Sequence, residues 1–463
     1  MRTTYKHETR ECNADTVPNI SNVLDVLDQR TFDLGLAIGV NSLLQSVWIY
    51  DRPVDITGLQ QFHDHLRRGR LSRGIERSPL SFGRHRWVAS ENFSEIEIIE
   101  TARPREEFDD WLDEQIDTPL DCEHGPGWHL AVLPFTDGGS GVSLVVSHCL
   151  IDGVGLCEAL ADAALGRDDP ISWPAAASRG RWQARMQDTW QTVRDIPAMA
   201  RGFVAAIRLA RRSREGATTP ATSTTVASPA QAAVSDESIR VPMATVLVDA
   251  GEWDSRAEAL GGTSNTLLVG LAARLAHRAG RVGADGSVIV TMPVNQRADG
   301  DTRANARSSV ALSVDPALAT TDLREIRASV KQALIRHGEV PDEELAVNAI
   351  IPLLPKRFLG ATSRVGSVNQ VGSSNLGVVN PAASRADGTD ADYFAVKVLP
   401  HLGLTEAMLH RFGGTQSFLS GRANGQVFVS AHSYLPDRVN TNERLKQDLS
   451  QALNDFSLTG THL

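Results

Sequence analysis

The sequence predicts an α/β fold made of two halves, each with a mixed sheet and a core of its own. The chain has 463 residues, whereas a single hydrophobic core stops growing at roughly 250–300 residues. Residues 213–238 are rich in Ser, Thr, Ala and Pro and nearly devoid of large apolar side chains, which is typical of a flexible linker. On both sides of this stretch, strand and helix patterns are mixed without the regular β-α-β alternation of a parallel sheet.

Within the N-terminal half, some segments have apolar residues at the alternating spacing of a strand, and others have them at the spacing of three to four residues that is typical of a helix. Asp55 stands where the N-cap of a helix is expected, and a Gly-rich turn at 136–140 separates two strands. In order, the predicted elements are a β-rich segment at 34–50, a helix at 56–67, a strand at 95–100, an acidic helix at 104–115, strands at 128–134 and 142–147, and a helix at 154–165.

The C-terminal half repeats this mixture, and its clearest turn signal is Asn424-Gly425, a pair typical of a tight hairpin. The predicted strands are 239–248, 288–294, 307–314, 392–398, 416–420 and 427–432, and the predicted helices are 264–277, 322–337, 343–350 and 440–456. We therefore expect an N-terminal half at 1–178, a basic helical connector with a flexible linker at 179–238, and a C-terminal half at 239–463.

The composition excludes several classes of function. Lys and Arg number 46 against 56 Asp and Glu, a net charge of −10, and aromatic residues make up 5% of the chain, so we expect no nucleic-acid binding. The four cysteines form no Cys-x-x-Cys pair and no zinc-finger spacing, so we expect neither a structural metal nor a disulfide framework. No segment has the length of a membrane span or the pattern of a secretory signal, which favours the cytoplasm.

The segment VVSHCLIDGVG at 145–155 is the strongest candidate for a site of chemistry. An apolar strand ends at His148, and Asp152 and Gly153 stand at the predicted start of a helix. Histidine at the end of a buried strand is well placed for proton transfer near neutral pH. An aspartate at a helix start bonds backbone N–H groups or holds a cation. A histidine in such a place is more often structural, so the motif alone does not decide its role.

The context of this segment resembles the CoA-dependent acyltransferase superfamily, whose motif is His-His-x-x-x-Asp-Gly. The superfamily includes chloramphenicol acetyltransferase, the condensation domains of nonribosomal peptide synthetases, and the wax ester synthase/diacylglycerol acyltransferases. Several stretches match the last group in the same order, namely GPGW at 125–128, SNTLLVGLAAR at 264–274, MPVNQR at 292–297, RAN at 303–305 and SNLG at 374–377. Three positions depart from its pattern: Ser147 replaces the first His, Thr266 an Asp, and Gly127 a Leu.

The resemblance implies two chloramphenicol-acetyltransferase-like halves with a tunnel between them, and His148 in that tunnel as the general base. It also implies that Asp152 points away from the substrate and pairs with Arg297 of the other half, while Gly153 forms the turn. The further positions that it places near the tunnel are Ser147, Asn265, Asn305, Ser374 and Asn375.

The reaction implied by the resemblance is the transfer of a fatty acyl group from acyl-CoA to a long-chain alcohol or diacylglycerol. Acyl-CoA is then a substrate, and no metal or other cofactor is expected. Two alternatives stay open. One is a condensation-type acyltransferase that takes its acyl group from a carrier protein and passes it to an amine or a polyketide hydroxyl. The other is an inactive relative that binds lipids or partner proteins, which the departure at Ser147 keeps open.

The connector at 179–214 has nine arginines and two aspartates, a net charge of +7. Its apolar residues recur at helical spacing, and Pro197 predicts a kink. A basic amphipathic helix is typical of a membrane-surface element, which would place the protein peripherally at the inner face of a membrane. A helix that packs on the protein with solvated arginines accounts for the pattern equally well, and the nucleotide phosphates of CoA are another candidate partner.

Overall fold

The computed structural model describes residues 21–39, 41–167, 172–216, 238–298, 301–339, 343–353 and 370–463. The strands are β1 (Asn41–Tyr50), β2 (Arg73–Glu76), β3 (Arg86–Ala89), β4 (Glu97–Ile98), β5 (Trp128–Pro134), β6 (Ser140–Ser147), β7 (Met243–Asp249), β8 (Val288–Asn295), β9 (Arg307–Val314), β10 (Gln370–Val378), β11 (Tyr393–Leu402), β12 (Thr415–Ala423), β13 (Gln426–Tyr434) and β14 (Thr461–His462). The α-helices are α1 (Val26–Ile38), α2 (Ile56–Leu66), α3 (Phe108–Ile116), α4 (Gly153–Ala164), α5 (Arg181–Gly216), α6 (Ala250–Ala259), α7 (Ser264–Arg278), α8 (Arg324–Glu339), α9 (Glu343–Val347), α10 (Glu406–Phe412) and α11 (Asn442–Asp455). Short 3-10 turns lie at Arg105–Glu107, Asn348–Leu353 and Pro381–Ser384.

Two large sheets organise these elements, and both are mixed. The first has the strand order β11-β1-β6-β5-β4, in which β4 runs parallel to β5 and the other pairs are antiparallel. The second has the order β14-β7-β13-β12-β10-β8-β9, in which β10 runs parallel to both of its neighbours. The α/β fold class with two mixed sheets, which the sequence predicts, is therefore confirmed.

Strand β11 connects the two halves. It comes from the C-terminal segment of the chain, yet it pairs antiparallel with β1 as the edge strand of the first sheet. Its Phe394 and Val396 pack in the same core as Trp48, and Phe428 of β13 enters that core as well. The division at 1–178, 179–238 and 239–463 stays a prediction about segments of sequence, because one strand of the last segment completes the sheet of the first.

The β-rich segment predicted at 34–50 needs a correction, since its first five residues are helical. Asp25 caps α1 by accepting the N–H of Leu27 at 3.0 Å, and the helix ends at Gly39, whose φ of 66° is left-handed. The apolar run at 34–38 fits a helix as well as a strand, so the caps decide between them. This helix carries a residue of the candidate site.

The connector forms the single helix α5, with Pro197 inside it. One side of α5 packs against α9 and the 3-10 turn that follows. The part of the predicted flexible linker beyond residue 216 lies outside the described residues. Among the helices that the structure describes, none has the length and apolar character needed to cross a bilayer.

Candidate functional site

His148 lies one residue beyond the end of β6, where the sequence places it. Its backbone N–H donates to the carbonyl of Ser42 at 2.9 Å, and the N–H of Ser147 donates to the carbonyl of Gly127 at 3.0 Å. The residues on either side, 140–147 and 149–152, are all buried, whereas His148 is partly exposed. The backbone of His148 is therefore held in the core while the residue itself reaches solvent.

The C-terminal half holds the loop that carries His148. Asn305, which is buried and precedes β9, donates from Nδ2 to the carbonyl of His148 at 3.2 Å. The N–H of Asp152 donates to the carbonyl of Ala304 at 2.8 Å. Both ends of the loop at 148–152 are thus hydrogen-bonded to a short segment of the other half, which makes the position of His148 depend on both halves.

Asp152 and Arg297 form a buried ion pair next to this loop. Arg297 Nη2 donates to Asp152 Oδ2 at 2.9 Å, and the side chains are 3% and 8% exposed, respectively. The same carboxylate accepts the N–H of Ala306 at 2.9 Å and caps α4 by accepting the N–H of Gly155 at 2.8 Å. Its lone pairs are therefore used to join α4 to the C-terminal half, which is the pairing that the resemblance implies for these two residues.

Two glycines allow the start of α4 to lie close to Arg297 and to β10. A Cβ on Gly155 would lie 3.0 Å from Arg297 Nη2, and a Cβ on Gly153 would lie 3.0 Å from the side chain of Leu376 on β10. Such distances are shorter than ordinary carbon contacts, so a larger residue at either position would displace its neighbour. The glycine at 153 thus permits contact between α4 and β10.

Sequence reasoning missed Asp28, which is buried on α1 and belongs to the same network. Its carboxylate accepts the N–H groups of Ala304 at 3.0 Å and Asn305 at 2.7 Å, and also Asn305 Nδ2 at 3.2 Å. Burial is the main cause that raises the pKa of Asp28 to about 6, while Arg73 opposes the rise. The available signal was an acid between two apolar neighbours, Leu24 and Phe32, four residues away on either side of it.

Arg73 was also missed, because it lies in a short strand that the sequence does not predict. Its guanidinium stacks over the ring of Trp87 at 4.1 Å and donates from Nη2 to the carbonyl of Leu150 at 2.5 Å. It also donates to the carbonyl of Thr302. Burial lowers the pKa of Arg73 to about 10, so the group stays charged near neutral pH. Arg73 therefore joins the loop after His148 to the segment that precedes Ala304.

The remaining predicted tunnel residues lie on three different elements. Ser147 is buried, and its Oγ accepts the N–H of Cys149 at 3.4 Å. Asn265, on α7, lies with Nδ2 3.9 Å from the sulfur of Met292 on β8. Ser374 and Asn375 lie on β10, where Asn375 Oδ1 accepts the N–H of Gly377 at 2.8 Å. The structure thus brings together His148, Asp152, Gly153, Arg297 and Asn305, and it places Asn265, Ser374 and Asn375 on α7 and β10.

Two further residues near the motif lie in hydrophobic cores. Cys149 is buried in a cluster with Leu24, Phe32 and Trp87, so its thiol lies in a core. Trp128 is 1% exposed and donates from Nε1 to the carbonyl of Leu71 at 3.2 Å. Both side chains therefore belong to the packing of the core.

A cluster of metal-ligand type occurs at the surface. Asp121, Glu123 and His124 have ligand atoms within 4.8 Å of one another. Glu123 already pairs with Arg77, and Asp121 Oδ1 accepts the N–H of Glu123 at 2.8 Å. These contacts account for both carboxylates, so we assign no metal to this cluster.

Comparison with known proteins gives structural but no sequence relatives. No protein-family model matches the sequence, and no curated protein matches it significantly. The first condensation domain of the CDA synthetase is similar in structure, with 13% identity, a TM-score of 0.54, and 96% of this chain and 99% of that chain covered. The wax ester synthase/diacylglycerol acyltransferase from Marinobacter aquaeolei VT8 has 14% identity, a TM-score of 0.54 and coverage of 94% and 98%.

A starter condensation domain of rhizomide synthetase is similar at the same level. It has 12% identity and a TM-score of 0.50 over 94% of each chain. At such identities structural likeness shows the fold, while function depends on the site that the fold carries. The fold that the sequence resemblance implies is confirmed: this chain has the two-lobed α/β fold shared by condensation domains and wax ester synthase/diacylglycerol acyltransferase.

Proposed function

We propose that the protein is an acyltransferase that moves a fatty acyl group from acyl-CoA to an alcohol, with His148 as the general base. The observation that carries this proposal is the partial exposure of His148 between buried neighbours, at a loop held by both halves. A base needs both access to its substrate and a fixed position. The order of the matching motifs and the wax ester synthase fold support the same reaction class.

The proposed reaction needs one proton acceptor and no covalent enzyme intermediate. The imidazole of His148 takes the proton of the acceptor hydroxyl. The hydroxyl oxygen attacks the thioester carbonyl, and the C–O bond forms. The tetrahedral intermediate then expels the thiolate of CoA, and the imidazolium gives its proton to this thiolate. The products are an ester and the free thiol, and the histidine returns to its starting state. General base catalysis of this kind contributes about 10²–10⁴-fold to the rate.

The residues around His148 hold it in place and take no part in the proton transfer. Asn305 holds the carbonyl of His148, and the Asp152–Arg297 pair fixes the start of α4 directly after the loop. The Asp152 carboxylate is engaged with Arg297 and two backbone N–H groups, so it is a positioning residue and not a second base. Errors of about 1 Å in the position of a reacting group cost up to roughly 100-fold in rate, so these contacts matter for turnover.

A second candidate is supported by the condensation-domain folds among the structural neighbours. In this alternative the acyl group arrives as a thioester on a carrier protein, and the acceptor is an amine or a polyketide hydroxyl. The proton transfer at His148 is the same in both cases. The two candidates therefore differ in what delivers the acyl group and in which nucleophile attacks it.

Release of free thiol from a thioester panel tests the proposal. Purified protein is given acyl-CoA of several chain lengths with a long-chain alcohol, diacylglycerol or an amine, and the same acyl groups on a carrier protein. We expect thiol release and ester formation with acyl-CoA and an alcohol. Turnover that requires the carrier protein favours the condensation-type alternative. No release with any donor and acceptor contradicts both and favours a protein that only binds lipids or partners.

A further inference from the structure

Helix α5 presents an apolar stripe to solvent. Its exposed large apolar residues are Trp182 (80% exposed), Met186, Trp190 (64%), Val193, Ile196, Phe203, Val204 and Ile207. At about 100° per residue, these eight side chains fall within one arc of about 140° around the helix axis. Along the axis they extend over roughly 37 Å, at about 1.5 Å per residue.

The opposite side of α5 packs on the protein. Ala184, Met199 and Ala205 are buried there, and a Cβ on Gly202 would lie 2.7 Å from the carbonyl oxygen of Ala346 on α9. The two sides of the helix therefore have different partners. The inward side lies against α9, and the stripe faces away from the protein.

The charges of α5 are divided between the same two sides. Among the residues of α5 whose exposure is described, the exposed arginines are Arg181, Arg185, Arg194, Arg201, Arg208 and Arg211, and Arg208 Nη1 lies 3.6 Å from Glu343 Oε1. At about 100° per residue, most of them fall along the two edges of the stripe. Asp188 and Asp195 face inward, where Asp188 pairs with Arg86 and Arg179, and Asp195 pairs with Arg84. The outward face is thus apolar and cationic, although the whole chain has a net charge of −10.

We infer that this face of α5 binds the surface of an anionic lipid bilayer, with the stripe in the headgroup region and the arginines at the lipid phosphates. A helix that lies in a bilayer surface has an apolar face, a basic polar border and low overall hydrophobicity. Tryptophan favours the boundary between headgroups and acyl chains. The positive border matches anionic headgroups, and α5 lacks the apolar character of a spanning helix. These features favour a bilayer over a second copy of the acidic chain as the occupant.

This binding is independent of the proposed acyl transfer. It uses α5 alone, and none of its residues belongs to the network around His148. Vesicle binding can therefore be measured without any turnover assay. Its failure would leave the acyltransferase proposal unchanged.

Tryptophan fluorescence gives a direct test. The chain has eight tryptophans, and the six other than Trp182 and Trp190 are buried. Vesicles of phosphatidylcholine and phosphatidylglycerol in equal amounts should therefore shift the emission to the blue and sediment the protein. The Trp182→Ala/Trp190→Ala variant should lose the shift and most of the binding. A matched change of two exposed apolar residues on α8, Leu334→Ala/Ile335→Ala, should keep both.

Charge reversal tests the role of the arginines. The Arg185→Glu/Arg194→Glu/Arg201→Glu variant should bind the anionic vesicles at least roughly 100-fold more weakly, because each basic residue near such a surface contributes about a factor of five. The Arg327→Glu/Lys331→Glu/Arg336→Glu variant makes the same change of charge on exposed positions of α8 and should bind like the wild type. Vesicles of phosphatidylcholine alone should bind the wild type weakly.

Three results would overturn the inference. The first would be that the wild type fails to sediment with anionic vesicles. The second would be that the α5 and α8 variants bind these vesicles equally well. Alternatively, the wild type is a dimer in solution and the Trp182→Ala/Trp190→Ala change makes it a monomer, in which case a second copy covers the stripe.

Discussion

Two buried carboxylates from different elements hold the loop of His148 against the C-terminal half. Asp152 binds Arg297 and the N–H of Ala306, and Asp28 binds the N–H groups of Ala304 and Asn305. Together they serve the backbone donors of a three-residue segment at 304–306. Since this segment in turn bonds the loop through Asn305, both acids contribute to the position of His148.

Asp28 should stabilise the protein through these bonds. Asp28→Ala leaves two backbone N–H groups and an amide without their acceptor, which should lower the free energy of unfolding by about 3 kcal/mol. Asp25→Ala, three residues earlier, removes the N-cap of α1 and should cost only about 1 kcal/mol. Urea denaturation measures both. Equal losses would contradict the role assigned to Asp28.

The raised pKa of Asp28 predicts a dependence on pH. The carboxyl has a folded pKa of about 6 against an ordinary value of 3.8, so the folded state holds its proton to higher pH than the unfolded state. Stability from this group is complete below pH 3.8 and is lost as the pH rises to about 6. The Asp28→Asn variant lacks this loss, so its stability relative to the wild type should improve over that range. A constant difference in urea unfolding between the two would contradict the burial effect.

The Asp152–Arg297 pair should show strong coupling. Arg297→Ala leaves a buried carboxylate without its cation and should cost about 3–5 kcal/mol of unfolding free energy. Asp152→Asn keeps the side-chain oxygen that caps α4 and removes the charge. In a double-mutant cycle, the Asp152→Asn/Arg297→Ala variant should therefore lose less unfolding free energy than the two single variants lose together. Additive losses would mean that the pair makes no direct contribution.

At the level of elements, local signals were sufficient where a strand or helix has a strong pattern of its own. The alternation at 307–314 predicts β9 (Arg307–Val314) with its observed bounds, and Asn424-Gly425 predicts the turn between β12 and β13. Strand β10 was not predicted, because its glycines and serines have low β-propensity and its place between β8 and β12 comes from tertiary pairing. Asp28 was missed for a related reason, since it depends on assigning α1 correctly.

The turn between β12 and β13 should be sensitive to its glycine. Gly425 has a φ of 73°, and a Cβ there would contact no atom within 4 Å, so any cost comes from the backbone. Gly425→Ala should lower the unfolding free energy by about 1–2 kcal/mol. Gly338→Ala, in α8 and equally free of contacts, should raise it by up to about 1 kcal/mol. Thermal or urea unfolding compares the two, and the same sign for both would contradict this account.

At the scale of the whole molecule, β11 belongs to the C-terminal segment but completes the first sheet, so we expect the two halves to fold as one unit. The first sheet cannot form its edge without a strand from residues beyond 239, and Phe394 and Phe428 both fill its core. No sequence pattern gave this partner, because a strand signal at 392–398 does not specify the sheet that it joins. His148, Asp152, Arg297 and Asn305 could be predicted because they lie in recognisable motifs. Asp28 and Arg73 could not, because only the folded chain brings them to this site.

Calorimetry of the full chain tests this unity. We expect a single unfolding transition in which the van't Hoff enthalpy equals the calorimetric enthalpy, because the first sheet is incomplete without a strand of the C-terminal half. Two separate transitions would show that the halves unfold independently. That result would mean that β11 does not couple the folding of the two halves.

The rate of one round of acyl transfer is the most direct test of the central claim, that His148 is a general base at the junction of the halves. Rapid mixing of enzyme with acyl-CoA and an alcohol would measure thiol release by the wild type, by His148→Ala and by His124→Ala, whose side chain is 81% exposed at the surface. This mechanism predicts a loss of about 10²–10⁴-fold for His148→Ala, with unfolding free energy near that of the wild type, and no loss for His124→Ala. A His148→Ala variant that releases thiol as fast as the wild type would contradict it.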